Sequence, residues 1–470
     1  MTRKILVVLV VLTLMLVSAP IALAAEPEEI TVAVHAVPHA NGVYMFRDQF
    51  EKEFGIKINV VEMAPEAIFE KQMTEFTAGT GAYDVVQFMP AWIADYSRYL
   101  EPLEPLAEKN GVDLQRDDVA PAFRDIYNKW GGVTYAMTWD GDLNIFYYNR
   151  LAFENPEYQE KYMKETGKEL RVPQTWDEYL ETCKFFAGWD WDNDGQNEFG
   201  CDEYLQRGRM YWWFLDRFAS MGGVYFDEEM KPLINTKAGV MALQNMIDTL
   251  PYMPTGALNH GYTELRLAII NGDVAMGKQW TDVGKAADLA EESKVKGLIG
   301  YAMVPGWKWG DKVVHRPMLA GGWQLGIPKD SKHKDAAIKF IGFITRPDIS
   351  LAITKDPSTA LDPYRISHFQ SAEFQSLWPT AKNYLAAIMV TAQYGFPELQ
   401  IPGAAEYMDT LDLELTEALA GNKSPQEALD AVARQWEEIT DRLGRETQKE
   451  LWNKEYNAMK AAGIQYQPLP

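Results

Sequence analysis

Between Ile30 and Phe88 the apolar positions switch between short unbroken runs and a helical repeat. Ile30-Thr31-Val32-Ala33-Val34 reads as a strand. Phe46, Phe50 and Phe54 then recur at helical spacing, and Gly55 marks the stop. Residues 56–61 predict a second strand. Phe69, Met73 and Phe76 predict the buried face of a second helix, ended by Gly79-Thr80-Gly81, and Asp84-Val85-Val86-Gln87-Phe88 is a third strand. Strands and helices in this rhythm form a βαβ succession, hence a parallel sheet covered on both faces. In such sheets ligands bind beyond the C-terminal ends of the strands. That rule selects residues 35–41, 63–65 and 89–92.

Further along, residues 141–149 predict an apolar strand that carries the chain into a second lobe. Residues 227–250 and 265–278 read as partly helical, broken by Gly and Pro turns. From Ser424 onward the pattern is strongly helical. Ser424-Pro425-Gln426-Glu427 has the form of a capping box with proline at the first helical position.

Ahead of these elements, Arg3 and Lys4 precede an apolar run over residues 5–17. Pro20 and Ala22-Leu23-Ala24 follow, the pattern of a cleaved secretory signal peptide over residues 1–24. A membrane span needs ~20 apolar residues; this run is shorter and gives way to Glu26, Glu28 and Glu29. No cysteine lies near the cleavage point, so a lipid-modified N-terminus is not expected. The expected location is periplasmic or extracellular. The remaining chain exceeds the ~250–300 residues at which single cores stop growing, so two lobes are expected.

The formal charge of −22 disfavours nucleic acid, whose phosphates need a basic surface, and disfavours adhesion to an anionic membrane. The chain has two cysteines, Cys183 and Cys201. In an exported protein an even count favours one structural disulfide, and the spacing fits neither a redox pair nor a zinc site.

Several segments, in order, resemble the large sugar-binding family of extracellular solute-binding proteins that serve ABC transporters. They are Tyr83-Asp84-Val85-Val86; Gly131-Gly132-Val133-Thr134-Tyr135-Ala136-Met137 with Phe146-Tyr147-Tyr148-Asn149-Arg150; Val172-Pro173-Gln174-Thr175-Trp176-Asp177-Glu178-Tyr179; Asn271-Gly272-Asp273-Val274-Ala275-Met276 with Trp280; and Gly321-Gly322-Trp323-Gln324-Leu325-Gly326-Ile327 with Ser331-Lys332. Ala136-Met137 departs from the family's usual x-Pro. The resemblance implies an α/β, type II periplasmic-binding-protein fold with a hinge and two discontinuous lobes. Each lobe would be a mainly parallel sheet flanked by helices. The expected N-terminal lobe comprises residues 25–141 and 310–358, and the C-terminal lobe residues 142–309 and 359–470. It also implies a carrier, not an enzyme, that passes a carbohydrate to permease subunits and acts as a monomer.

Sugars present hydroxyls and flat C–H faces, so their sites combine aromatic planes with fixed donors and acceptors. Trp92, Trp139, Trp280 and Trp323 are the candidate planes, and Asp140 and Asp142 the candidate acceptors. Arg365 beside Tyr364 is a candidate forked donor. His35, His39 and Asn41 follow the first strand, and Gly321 and Gly322 precede Trp323.

Asp190-Trp191-Asp192-Asn193-Asp194-Gly195-Gln196-Asn197-Glu198 matches a calcium loop. Asp190, Asp192 and Asp194 supply carboxylates, Gly195 the turn, Gln196 a backbone carbonyl, and Glu198 a further acid. Position twelve is Cys201 where an EF-hand has glutamate, so Asp202 or Glu203 would have to stand in. A structural Ca2+ is expected there. Two other readings stay open: an exported glycoside hydrolase or lyase, and a binding protein for a cation such as a polyamine. No GxSxG, HExxH or phosphate-cradling glycine loop favours catalysis.

Overall fold

The computed structural model describes residues 28–319 and 322–469. The expected signal peptide and Gly321 lie outside the described residues. The strands that build the two larger sheets are β1 (Glu29–His35), β2 (Lys57–Met63), β3 (Val85–Phe88), β4 (Met137–Asp140), β5 (Asn144–Asn149), β6 (Phe199–Asp202), β7 (Val274–Trp280), β8 (Ile299–Ala302) and β9 (Trp323–Gly326). The first sheet has the order β2-β1-β3-β9-β4 and the second β8-β5-β7-β6.

The expected N-terminal βαβ succession forms β1, β2 and β3, which pair in parallel. The Phe46/Phe50/Phe54 repeat gives the helix Arg47–Phe54, closed by Gly55 at φ 70°. The Phe50 ring packs 5.5 Å from Phe340 and 5.4 Å from Phe343 on the helix Lys334–Ile344. Residues distant in sequence therefore seal this core, and removing such a ring costs ~3–5 kcal/mol.

Both sheets are mixed, which corrects the expectation of mainly parallel ones. β9 runs antiparallel to β3 and to β4. In the second sheet only β6 with β7 is parallel, while β5 opposes both β7 and β8. The antiparallel members are strands entered by crossing from the other lobe, so no helix has to return the chain to the same edge.

The stretch 141–149 is not one strand. The chain leaves the first sheet at Asp140 and joins the second at Asn144. Gly141 explains the break. Its N–H donates to the Asp362 carbonyl at 3.1 Å, and a Cβ there would run into the Pro363 carbonyl. Two crossings thus lie in backbone contact. Elsewhere between the lobes, Met318–Leu319 pairs in parallel with Phe396–Pro397. Residues 364–368 still pack on the first lobe: Ala120 N–H donates to the Tyr364 carbonyl at 2.9 Å, and His368 touches Ser350 at 2.9 Å.

The segment 265–278 divides at Gly272, φ 88°, into the helix Tyr262–Asn271 and strand β7. Helix Pro425–Leu443 begins at the Ser424/Glu427 capping box read from the sequence.

Candidate functional site

The loops beyond the ends of β1, β3 and β7, and the start of β9, bring two aromatic clusters together. On the first lobe, His35 ends β1 and stacks on His39 at 4.5 Å. Trp323 stands edge-on to His35 at 5.3 Å, to His39 at 5.8 Å and to Trp92 at 6.1 Å. His39 is held by Gln87 Nε2 at 3.0 Å. Burial, reinforced by its neighbour His35, drives its pKa well below the usual histidine value, so it is neutral.

On the second lobe, Trp280 ends β7 inside a ring of Trp213 (5.2 Å), Trp212 (5.4 Å), Tyr204 (5.6 Å) and Tyr262 (6.0 Å). Trp280 and Trp323 are each only 4% exposed. Arg209 joins the clusters, its guanidinium carbon 5.6 Å from the Trp212 centroid and 5.9 Å from that of Trp323. Glu398 accepts from Trp212 Nε1 at 2.7 Å, and burial raises its carboxyl to about 8.

An acidic floor lies beside Trp280. Asp142 accepts from Thr281 Oγ1 at 3.0 Å, and the same hydroxyl reaches Asp362 at 2.8 Å. Asp282 takes the Tyr262 hydroxyl. Asp140 is fully buried and accepts the Asp362 N–H at 2.7 Å. Burial, then the charge of Asp362, pushes the Asp140 carboxyl well above the carboxylate range. Burial, then the charge of Asp140, does the same to Asp142.

The other nominated residues sit apart from this centre. Trp139 is buried under the helix His39–Tyr44, so that a Cβ on Gly42 would touch its ring at 2.9 Å. Asn41 donates to the Ser358 carbonyl at 2.7 Å and ties that helix to a crossing. Gly322, φ 60°, packs on the Asp140 carbonyl. Arg365 corrects its expected role: it is fully buried and donates to the carbonyls of Thr345 and Gln115, at 2.9 and 2.8 Å for Nε and Nη1. Its donors are consumed in clamping the first lobe. Tyr364 is likewise buried, against His368.

Sequence reasoning missed Arg209, Tyr204, Trp212, Trp213, Asp282, Asp362 and Glu398. The aromatic run Tyr211-Trp212-Trp213-Phe214 was a usable signal for two of them. The lone arginine and the scattered acids carried none.

In the 190–198 loop, Asp190, Asp192, Asp194 and Glu198 each offer an oxygen within 4.8 Å of the others. The backbone is wound to allow this. Gly195 N–H donates to Asp190 Oδ2 at 3.1 Å, Asp194 N–H to Asp192 at 3.0 Å, and Gln196 N–H to Asp194 at 2.8 Å. Gly195 at φ 88° makes the turn. Asp190 Oδ1 is buried without a hydrogen-bond partner. Glu198 is raised to about 7 by burial and then by Asp192 and Asp190. These donors fit a hard cation. Asp202 and Glu203 do not stand in for position twelve: Asp202 holds His260 at 2.8 Å and Glu203 pairs with Arg217.

The expected bridge is also corrected. Cys183 and Cys201 are free thiols, both buried. The helix Trp176–Phe186 lies so close on β6 that a Cβ on Gly200 would meet the Cys183 carbonyl. The two sulfurs share a hydrogen bond, and burial first, then that bond, raises the Cys183 thiol well above its usual value. Even count and compartment do not fix sulfur geometry.

Residues 41–349 match the family model of the bacterial extracellular solute-binding proteins, and the chain belongs to that family. It is 25% identical over 402 residues to y4oP of Sinorhizobium fredii (strain NBRC 101917 / NGR234), a probable amino-acid ABC transporter periplasmic-binding protein, across 84% of this chain and 85% of that one. A mannitol-binding protein of Pseudomonas aeruginosa is 26% identical over 310 residues, 62% of each chain. Maltose-bound MalE3 of T. maritima has the same two-lobed fold, with a TM-score of 0.72 at 22% identity over 87% of this chain and 99% of that one.

Proposed function

We propose that this protein captures a carbohydrate, either a sugar alcohol or a short oligosaccharide, between its lobes and delivers it to the permease of an ABC importer. One observation carries the reading: Arg209 of the second lobe lies over Trp323 of the first and over Trp212, which packs on Trp280, and Asp142 and Asp282 flank the Trp280 end of β7. Indole planes suit C–H faces, and carboxylates and a guanidinium suit hydroxyls. The names of the mannitol-binding and maltose-bound relatives support that ligand class.

A ligand touching both lobes is fully held only when they close, so its differential affinity drives the hinge. No turnover follows from this arrangement: the protein acts as a monomeric carrier. It is exported by a signal peptide over residues 1–24 and is not a lipoprotein. The Asp190, Asp192, Asp194, Gln196 and Glu198 loop holds a structural Ca2+, as the orphaned Asp190 Oδ1 supports. The ion would fix a surface loop and take no part in capture.

Calorimetry of the mature chain against polyols, maltooligosaccharides, polyamines and amino acids tests the reading. One-to-one binding of a carbohydrate with no released product supports it; hydrolysis of the oligosaccharides restores the glycosidase reading.

A further inference from the structure

Three carboxylates meet where two crossings run side by side. Asp142 lies on the first crossing, Asp282 opens the helix Asp282–Leu289 just past β7, and Asp362 lies on the later crossing. Each of these three offers an oxygen within 4.8 Å of the others. That is the spread of oxygens on a single calcium ion, whose bonds are ~2.3–2.6 Å long. Asp140 backs them. It is 0% exposed; its Oδ1 holds the Asp362 N–H, and its Oδ2 has no partner.

The donors to these oxygens are few. Thr281 gives Asp142 its N–H at 3.2 Å and has one hydroxyl proton for two carboxylate contacts, at 3.0 and 2.8 Å. The Tyr384 hydroxyl serves Asp362 at 3.1 Å and that of Tyr262 serves Asp282. Lys285 Nζ donates to the Leu361 carbonyl at 2.7 Å and stands 3.7 Å from Asp362. Lys285 is the one cation set against this group, and closely placed carboxyls withdrawn from water must either hold protons or take up a counter-ion. A divalent ion would replace those protons.

We propose that Asp142, Asp282 and Asp362, backed by Asp140, bind a divalent cation of the calcium class at the junction of the crossings, distinct from the 190–198 loop. Its ligands come from the crossings and the second sheet, so the ion pins the hinge rather than a surface turn.

The test uses the full mature chain carrying Asp192→Asn and Asp194→Asn, which disables the loop. Native mass spectrometry with Ca2+ as the sole divalent ion should show one ion retained. Asp282→Asn in that background should weaken retention at least tenfold. Tb3+ should show emission sensitised by Tyr262 and Tyr384, and this too should fall in the variant. If Asp282→Asn does not fold, Asp142→Asn, at a partly exposed position, takes its place. A loop-disabled protein that is folded by circular dichroism and retains no Ca2+ at millimolar concentration overturns the site. So does Ca2+ retained undiminished in both acidic variants.

Discussion

The guanidinium carbon of Arg209 stands 5.9 Å from the centroid of the Trp323 ring, so a cation from the second lobe rests on an indole from the first. Such contacts are worth ~0.5–2 kcal/mol depending on desolvation. The second lobe has further stakes in the same place, since Arg209 also lies over Trp212, which packs on Trp280.

Removal of either indole should therefore weaken capture. Trp323→Ala and Trp280→Ala each delete a large ring from the ligand's surroundings, a loss of ~3 kcal/mol or more for such truncations. At ~1.4 kcal/mol per tenfold, affinity falls at least about a hundredfold. Arg209→Ala should cost less, roughly tenfold, because it loses the bridge and keeps both planes. Calorimetry on folded variants decides; unchanged Kd for both tryptophan variants means the rings are core, not site.

Two acids, the buried Glu398 and the half-buried Glu455, give the folded protein a preference for lower pH. Glu398 and Glu455 are each raised to about 8 by burial. Their protons are bound more tightly in the folded chain than in the unfolded one. The stability they contribute is complete below the ordinary glutamate value near 4.5 and is lost as pH rises through about 8. The melting temperature without ligand should therefore fall between pH 6 and pH 9, and Glu398→Gln should flatten that slope. An equal slope in the variant would show that Glu398 is ionised throughout.

The thiols should react only after unfolding. Cys183 and Cys201 are buried, and the raised Cys183 thiol stays protonated. Alkylation of native protein should label neither. Alkylation after unfolding without reductant should add two labels, and a mass without added label would mean that the sulfurs are bridged.

The proposed calcium site at residues 190–198 should show itself through melting. A cation bound only by the folded state stabilises it by ~2.7 kcal/mol at a hundred times its Kd. Chelator should lower the melting temperature of the wild type and have a smaller effect on Asp192→Asn/Asp194→Asn. Identical shifts in both proteins would remove the loop as the source.

The fold was legible where periodicity is local. The Phe46/Phe50/Phe54 stripe, the Gly55 and Gly79 stops and the Ser424 capping box were all readable, and each forms as a short-range element. The mixed pairing of the sheets was not, because β9 joins β3 only through contacts more than two hundred residues apart in sequence. The site followed the same division. His35, His39 and Trp92 could be nominated because they follow or end readable strands, and Trp280 because its segment resembles the family's. Arg365 was misread because its carbonyl partners, Thr345 and Gln115, come from remote turns. Asp282 and Asp362 acquire meaning only beside Asp142, a proximity that no sequence spacing encodes.

The most direct measurement is isothermal calorimetry of the mature protein titrated with D-mannitol, maltose and longer oligosaccharides, with spermidine and amino acids as comparisons. One carbohydrate should saturate at one site per chain, remain chemically unchanged, and lose at least about a hundredfold in affinity with Trp323→Ala. Saturation by spermidine or an amino acid, with no heat from any carbohydrate, would contradict carbohydrate capture.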